Sequence, residues 1–110
     1  MEDLAHAVER LSRAGYRDDF RAEAAGLRAV NEGCTYEPES LTVDEVVRFE
    51  GESDPGDEVV LFALRAGTSG IRGTYVVAYG ASVAPHDAEM SKRLRHDPDS
   101  GARKIRQPAR

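Results

Sequence analysis

The side chains of this chain that could do chemistry are concentrated in one short polar segment. Four acidic residues and a serine fall within positions 50–57, which we call the acidic loop, and an arginine precedes it. Carboxylates that converge in a turn can bind a hard divalent cation, at about 2.0–2.6 Å, and could equally contact a small ligand or a protein partner. The candidate contact residues are Arg48, Glu50, Glu52, Ser53, Asp54 and Asp57.

The acidic loop also has a purely structural interpretation, which the sequence favours. Its spacing does not match an EF-hand calcium loop, because the repeated Asp residues and the distant bidentate Glu are missing. Pro55 and Gly56 suit the corner of a β-turn, and Ser53 or Asp54 could accept hydrogen bonds from turn amides. We therefore interpret the loop first as a turn, then as a contact surface for a partner or small ligand, and last as a metal site.

Arginines on the predicted strands form a second candidate. Arg48 and Arg72, which we place on neighbouring strands, could form a basic patch with Arg65 and bind a phosphate or carboxylate group. Ordinary cross-strand ion pairs are the favoured interpretation. The acidic partners available for such pairs are Glu45, Glu50 and Glu58.

Composition excludes several classes of protein. The chain has 110 residues, the length of one domain, with 40% hydrophobic residues, 32% charged residues and a formal charge of -5. No apolar stretch approaches the roughly 20 residues of a membrane-spanning helix, and the first residues do not resemble a secretory signal. No phosphate-binding loop or zinc motif is present. We expect a cytoplasmic protein with no membrane association and no cofactor.

The chain has a single cysteine, Cys34, which excludes an internal disulfide and a thiolate metal cage. A nucleophilic cysteine needs a positioned base, and no histidine lies near it in the sequence. We expect Cys34 to be buried as a small apolar residue.

Charge is divided between an acidic body and a basic tail. Residues 91–110 hold seven basic and two acidic residues, whereas the first ninety hold eight basic and eighteen acidic residues. The negative body repels phosphate, which disfavours nucleic acid as a partner. We expect residues 1–97 to form a single α+β domain and residues 98–110 to be a disordered basic tail.

Hydrophobic periodicity predicts one helix before the strands and one helix after them in the chain. Leu4, Val8 and Leu11 recur at helical spacing, so the first helix is predicted over residues 3–14. A second helix is predicted over residues 86–96, where acidic side chains come first and basic ones last.

Three strands are predicted in the centre of the chain, and short loops between them favour an antiparallel meander. Residues 43–50 and 71–79 alternate, whereas residues 59–64 are apolar on both faces, as is typical of a central strand. Residues 18–30 are compatible with a weak hairpin or with a helix. The predicted fold is a two-layer α+β domain, in which both helices cover one face of an antiparallel sheet.

Residues 48–57, with the sequence RFEGESDPGD, resemble the Phe-Glu-Gly-x-Ser-Asp-Pro-x-Asp signature of an uncharacterised family of small bacterial proteins. The resemblance extends to the apolar strand at 59–64, the Gly-x-x-Gly turn of Gly70 and Gly73, and the Tyr-Gly strand end at 79–80. Residues 15–20 match the family's Gly-Tyr-x-x-Asp-Phe step. The match covers about residues 4–95 and leaves out the basic tail.

Many members of that family carry the label phosphoribosylpyrophosphate synthetase, so the resemblance implies binding of ATP, magnesium and ribose phosphate. The residues argue against this reaction. A phosphoribosyl-diphosphate loop needs an acidic pair after its strand, where this chain has Arg65. It also needs a helix N-terminus for the phosphates, whereas residues 70–80 predict another strand.

The sequence therefore predicts a non-catalytic module that binds a protein partner or a second copy of itself, through an exposed sheet edge or the acidic loop. The reason is that no base, nucleophile or ligand set is recognisable. The alternative is a small-ligand-binding or divalent-metal-binding protein that uses the acidic loop.

Overall fold

The computed structural model describes residues 2–50, 58–67, 69–80 and 83–95 of the chain. Most of the acidic loop and the whole of the predicted tail, residues 98–110, lie outside these ranges. The elements in chain order are α1 (Leu4–Arg13), β1 (Asp18–Glu23), β2 (Gly26–Ala29), β3 (Cys34–Tyr36), a 3₁₀ turn (Pro38–Ser40), β4 (Leu41–Glu50), β5 (Glu58–Ala66), β6 (Arg72–Tyr79) and α2 (Pro85–Arg95).

The strands form one mixed sheet in the order β3-β2-β1-β6-β5-β4. The prediction of an α+β protein is confirmed, but the predicted sheet is wrong: it has six strands rather than three, and β1 runs parallel to β6. The strands predicted at 43–50, 59–64 and 71–79 are β4, β5 and β6, which are antiparallel neighbours. The parallel pair escapes a pattern-based prediction because β1 and β6 are far apart in the chain.

The parallel pair depends on a close approach of two backbones. Asp18 lies opposite Gly73, and Asp19 lies opposite Thr74. A Cβ atom built on Gly73 would lie 2.5 Å from the backbone oxygen of Asp18 and 2.9 Å from Cε2 of Phe20. Any side chain at this position would therefore push β6 away from β1, and glycine is the residue that allows the contact.

The buried carboxylate of Asp18 holds the start of β1 from its other side. Oδ1 accepts hydrogen bonds from the backbone amides of Asp19 and Asn31, both at 2.8 Å, and Oδ2 accepts one from Glu32 at 3.1 Å. Only 7% of Asp18 is exposed, so these three donors replace the water that a buried carboxylate needs. Asp18 thus ties β1 to the turn that joins β2 to β3.

Residues 18–30 form the β1–β2 hairpin, not the alternative helix. Phe20 lies opposite Ala29, and Glu23 lies opposite Gly26. Gly26 has φ +153°, and a Cβ there would lie 2.3 Å from the backbone oxygen of Tyr36 on β3. Local propensity left the choice open, and the pairing of β2 with β3 decides it.

The two helices cover opposite faces of the sheet, so the predicted two-layer arrangement with both helices on one face is wrong. The reason lies in β5, whose apolar residues point alternately to each face. On the face we call the α2 face, Val60, Phe62 and Leu64 pack with Met90 and Leu94 of α2. On the α1 face, Leu61 and Ala63 pack with Ala7 and Leu11 of α1.

The helix bounds agree closely with the sequence periodicity. Asp3 caps α1, since its Oδ1 accepts a hydrogen bond from the backbone amide of His6 at 2.8 Å. Gly15, at φ +110°, reverses the chain after the helix. No helix in the described ranges has the length and apolar character needed to cross a membrane.

We predict that Gly73→Ala lowers the free energy of unfolding by about 3 kcal/mol, because the new methyl group overlaps the backbone of Asp18. Gly67→Ala is the matched control: nothing lies within 4 Å of a Cβ at Gly67, so its effect should stay within about 0.5 kcal/mol. Urea denaturation measures both. Equal effects of the two substitutions would contradict the close approach.

Candidate functional site

The predicted acidic-loop site is only partly within the described residues. Glu52, Ser53, Asp54 and Asp57 lie outside them, and Glu50 is the last residue of β4. Arg48 is on β4 opposite Val60, and it forms an ion pair with Glu58 through Nη1 and Oε1 at 3.3 Å. Within the described ranges, no group of three or more His, Cys, Asp or Glu residues could hold a metal ion.

The three arginines considered as a basic patch do not come together. Arg65 and Arg72 are direct partners on β5 and β6 and share the α1 face, whereas Arg48 shares the α2 face with Val60. The prediction that Arg48 and Arg72 lie on neighbouring strands is wrong, because β5 lies between β4 and β6.

Arg65 and Arg72 are instead used in a contact network beside α1. Arg65 donates to both carboxylate oxygens of Asp44 at 3.1 Å, and Tyr16 donates to the same carboxylate at 2.7 Å. The guanidinium of Arg72 lies 5.7 Å from the centre of the Tyr16 ring. Partial burial, followed by the bond to Asp44, raises the pKa of Tyr16 to about 12.

Cys34 lies on β3, the short strand at one edge of the sheet, and is exposed. The expectation that it is buried as a small apolar residue is therefore wrong. Among the described strands, β3 has a neighbour on one side only and its first two side chains are exposed, and the sequence around Cys34 does not reveal this edge position.

A cleft opens between β1 and β6 in the middle of the sheet. The two strands pair at Asp18–Gly73 and Asp19–Thr74, and further along they leave a gap of about 420 Å³. Small-molecule sites have volumes of about 300–1,000 Å³, and the carboxyl ends of adjacent parallel strands are a common place for them. The cleft is lined by Asp19, Phe20, Arg21, Ala22, Tyr75, Val76 and Asp87.

The α2 side of the cleft contains a buried hydrogen-bonded pair. The hydroxyl of Tyr75 donates to Oδ1 of Asp87, in the first turn of α2, at 2.6 Å. The Tyr75 ring is 1% exposed and stacks on Phe62, with ring centres 5.9 Å apart. Burial, followed by the nearby Asp87 carboxylate, raises the pKa of Tyr75 well above its usual range. The phenol of Tyr75 is therefore neutral at neutral pH.

The α1 side of the cleft carries an exposed ion pair. Nε of Arg21 lies 2.9 Å from Oδ2 of Asp19, two residues earlier on the same strand and face. The two side chains are 71% and 46% exposed, so the pair contributes little stability and its charges stay accessible. Both sides of the cleft thus offer polar groups, while Ala22 and the exposed Val76 supply apolar surface.

The comparisons with known proteins add no assignment to this geometry: no family model, curated protein or solved structure matches the chain.

The sequence patterns do not reveal that Tyr75 on β6 and Asp87 on α2 meet. The signal was weak, because twelve positions separate the two residues. An acidic residue in the first turn of a helix is also common in itself, because it interacts favourably with the helix dipole. Its presence therefore does not indicate a bond to a tyrosine. Only the return of α2 across β6 places Asp87 beside the phenol.

We predict that Tyr75 makes the protein sensitive to alkaline pH. The pKa of tyrosine is 10.0 in the unfolded chain and higher in the folded one, so this contribution to stability is full below pH 10 and falls above it. The loss is at most about 1.4 kcal/mol per pH unit. Urea denaturation between pH 8 and 11 should show a smaller decline for Tyr75→Phe. Tyr36→Phe, at a surface hydroxyl bonded to Glu32, is the control and should reduce the decline less. Identical slopes for wild type and Tyr75→Phe would contradict the prediction.

Proposed function

We propose that this protein is a non-catalytic binding module that takes a small polar ligand in the cleft between β1 and β6. The observation that supports this most is the separation of the two parallel strands in the middle of the sheet. A strand that leaves its neighbour gives up backbone hydrogen bonds, and buried backbone groups need other partners. The register of β1 with β6 ends at Asp19–Thr74, and residues 20–22 line the gap beyond it, so we infer that a ligand can bond to their backbone.

The side chains around the gap match a ligand with several hydrogen-bonding groups. Asp87 uses Oδ1 to accept the bond from Tyr75, and within the described part of the chain no bond to its Oδ2 is present. That oxygen is a strong acceptor for a ligand amine, amide or hydroxyl group. Ala22 and the exposed Val76 offer apolar contact, so the ligand we infer has a polar edge and an apolar body.

We predict that a panel of amino acids, nucleosides and sugar phosphates contains compounds that shift the backbone amide signals of Phe20, Ala22 and Val76 in ¹⁵N NMR spectra. Ala22→Leu should weaken that binding, because it fills a cleft of about 420 Å³ from its wall. Ala78→Leu is the control, since Ala78 is exposed on β6 and does not line the cleft.

Two results would contradict the proposal. One is a panel that leaves all three amide signals unmoved. The other is a set of ligand shifts that survive Ala22→Leu with unchanged affinity, since the ligand would then bind elsewhere.

The free edge of β4 favours a second candidate function, self-association. β4 has ten residues and pairs with β5 along one side, and no described strand covers its other side. A bulge between Val43 and Glu45 and several charged residues interrupt this edge, but residues 45–50 are regular. Val46 on this stretch is 44% exposed. Two such edges can pair around a two-fold axis.

If β4 mediates dimerisation, light scattering after size exclusion should show a dimer for the wild type and a monomer for Val46→Lys, because a lysine on a sheet edge disfavours pairing. Val76→Lys is the matched control. Val76 is 39% exposed, but it lies on β6 in the interior of the sheet. A wild-type protein that stays monomeric at high concentration would contradict self-association.

A further inference from the structure

Two arginines face each other across the β1–β2 hairpin. Arg21 lies directly opposite Arg28, so their side chains leave the sheet on the same face. Directly opposite residues of an antiparallel pair have Cβ atoms about 4.5–5.5 Å apart, at which like charges destabilise the pair. A hairpin gains nothing from two guanidinium groups in this position unless something negative lies between them.

The described residues supply only part of the negative charge that would balance these two guanidinium groups. Arg21 uses Nε to bind Asp19, which leaves its two terminal amino groups free of any bond to the described residues. Arg28 is half-buried, and within the described ranges it has no hydrogen bond or ion pair. Its neighbour on β3 is Thr35, a neutral residue with a hydroxyl group. Arg21, Arg28 and Thr35 therefore form a row of donors across three strands.

This part of the α1 face is open. The apolar residues of α1 pack on Leu61 and Ala63 of β5, at the other half of the sheet. The side chain of Arg21 is 71% exposed and also lines the β1–β6 cleft. A ligand in the cleft can therefore reach Arg21 from solvent, and Arg28 lies directly opposite Arg21 on the same face.

We propose that Arg21 and Arg28 bind the phosphate group of the ligand whose remaining part occupies the β1–β6 cleft. This inference rests on the proposed function and names the chemical class of the ligand. A guanidinium offers five N–H donors in a planar fork, which matches the oxygens of a phosphate group. A phosphate dianion neutralises both charges, whereas one carboxylate neutralises only one.

The test is a ¹⁵N NMR titration with inorganic phosphate and with pyrophosphate, at constant ionic strength set with chloride. We expect saturable shifts of the Arg21, Arg28 and Thr35 amide signals and of the arginine Nε signals. Arg28→Gln should weaken phosphate binding about tenfold or more. The same substitution should leave the melting temperature without phosphate unchanged or raise it, since it relieves a like-charge pair. Arg13→Gln removes the same charge from α1, where Arg13 binds Glu9, and should leave phosphate binding unchanged.

The inference is overturned if phosphate causes no saturable shifts, if chloride alone reproduces them, or if Arg28→Gln binds phosphate as well as the wild type. These results leave the proposed function standing when uncharged compounds still bind in the cleft. Conversely, phosphate could bind at Arg28 while Ala22→Leu weakens the binding of no compound in the panel. In that case the cleft proposal fails, and Arg28 remains a phosphate-binding residue.

Discussion

The contact between the start of β1 and the start of β6 is the constraint on which the rest of the structure depends. Gly73 lets the two backbones meet at a distance that no side chain would allow. The carboxylate of Asp18 fixes the same strand end to the turn after β2 through three backbone hydrogen bonds. Without this junction β1–β3 and β4–β6 would be two separate three-stranded sheets, and the core that Phe20 and Tyr75 share with Met90 would be divided.

The same junction creates the candidate site. It joins β1 and β6 at one end and leaves them apart at the other, where α2 lies beside the gap. Phe20 and Tyr75, one from each half of the sheet, belong to a single core with Met90 of α2. The cleft is thus supported by rigid packing around its walls, and such support is what keeps a binding site in one geometry.

Residues that carry the sequence resemblance have identifiable structural roles. Gly15 reverses the chain after α1, Tyr16 binds Asp44, and Phe20 is buried in the core. Gly73 permits the parallel contact. These residues therefore serve the fold, and the charged groups that could bind a ligand, such as Arg28 and Asp87, are not among them.

The sequence by itself determined the local elements of this protein. Helical spacing located α1 and α2 to within about a residue, and the apolar run of β5 identified a central strand, because these patterns are set by neighbours along the chain. The same run is apolar on both faces, yet the fold predicted from the sequence placed both helices on one face, because spacing along the chain does not say which face each helix covers. Only the tertiary structure decided the parallel pairing of β1 with β6, the meeting of Tyr75 with Asp87, and the juxtaposition of Arg21 with Arg28 beside an open cleft. Each of these depends on which strands pair and on where α2 packs. Side-chain packing and the close backbone approach at Gly73 determine both, and the spacing of residues along the chain does not show them.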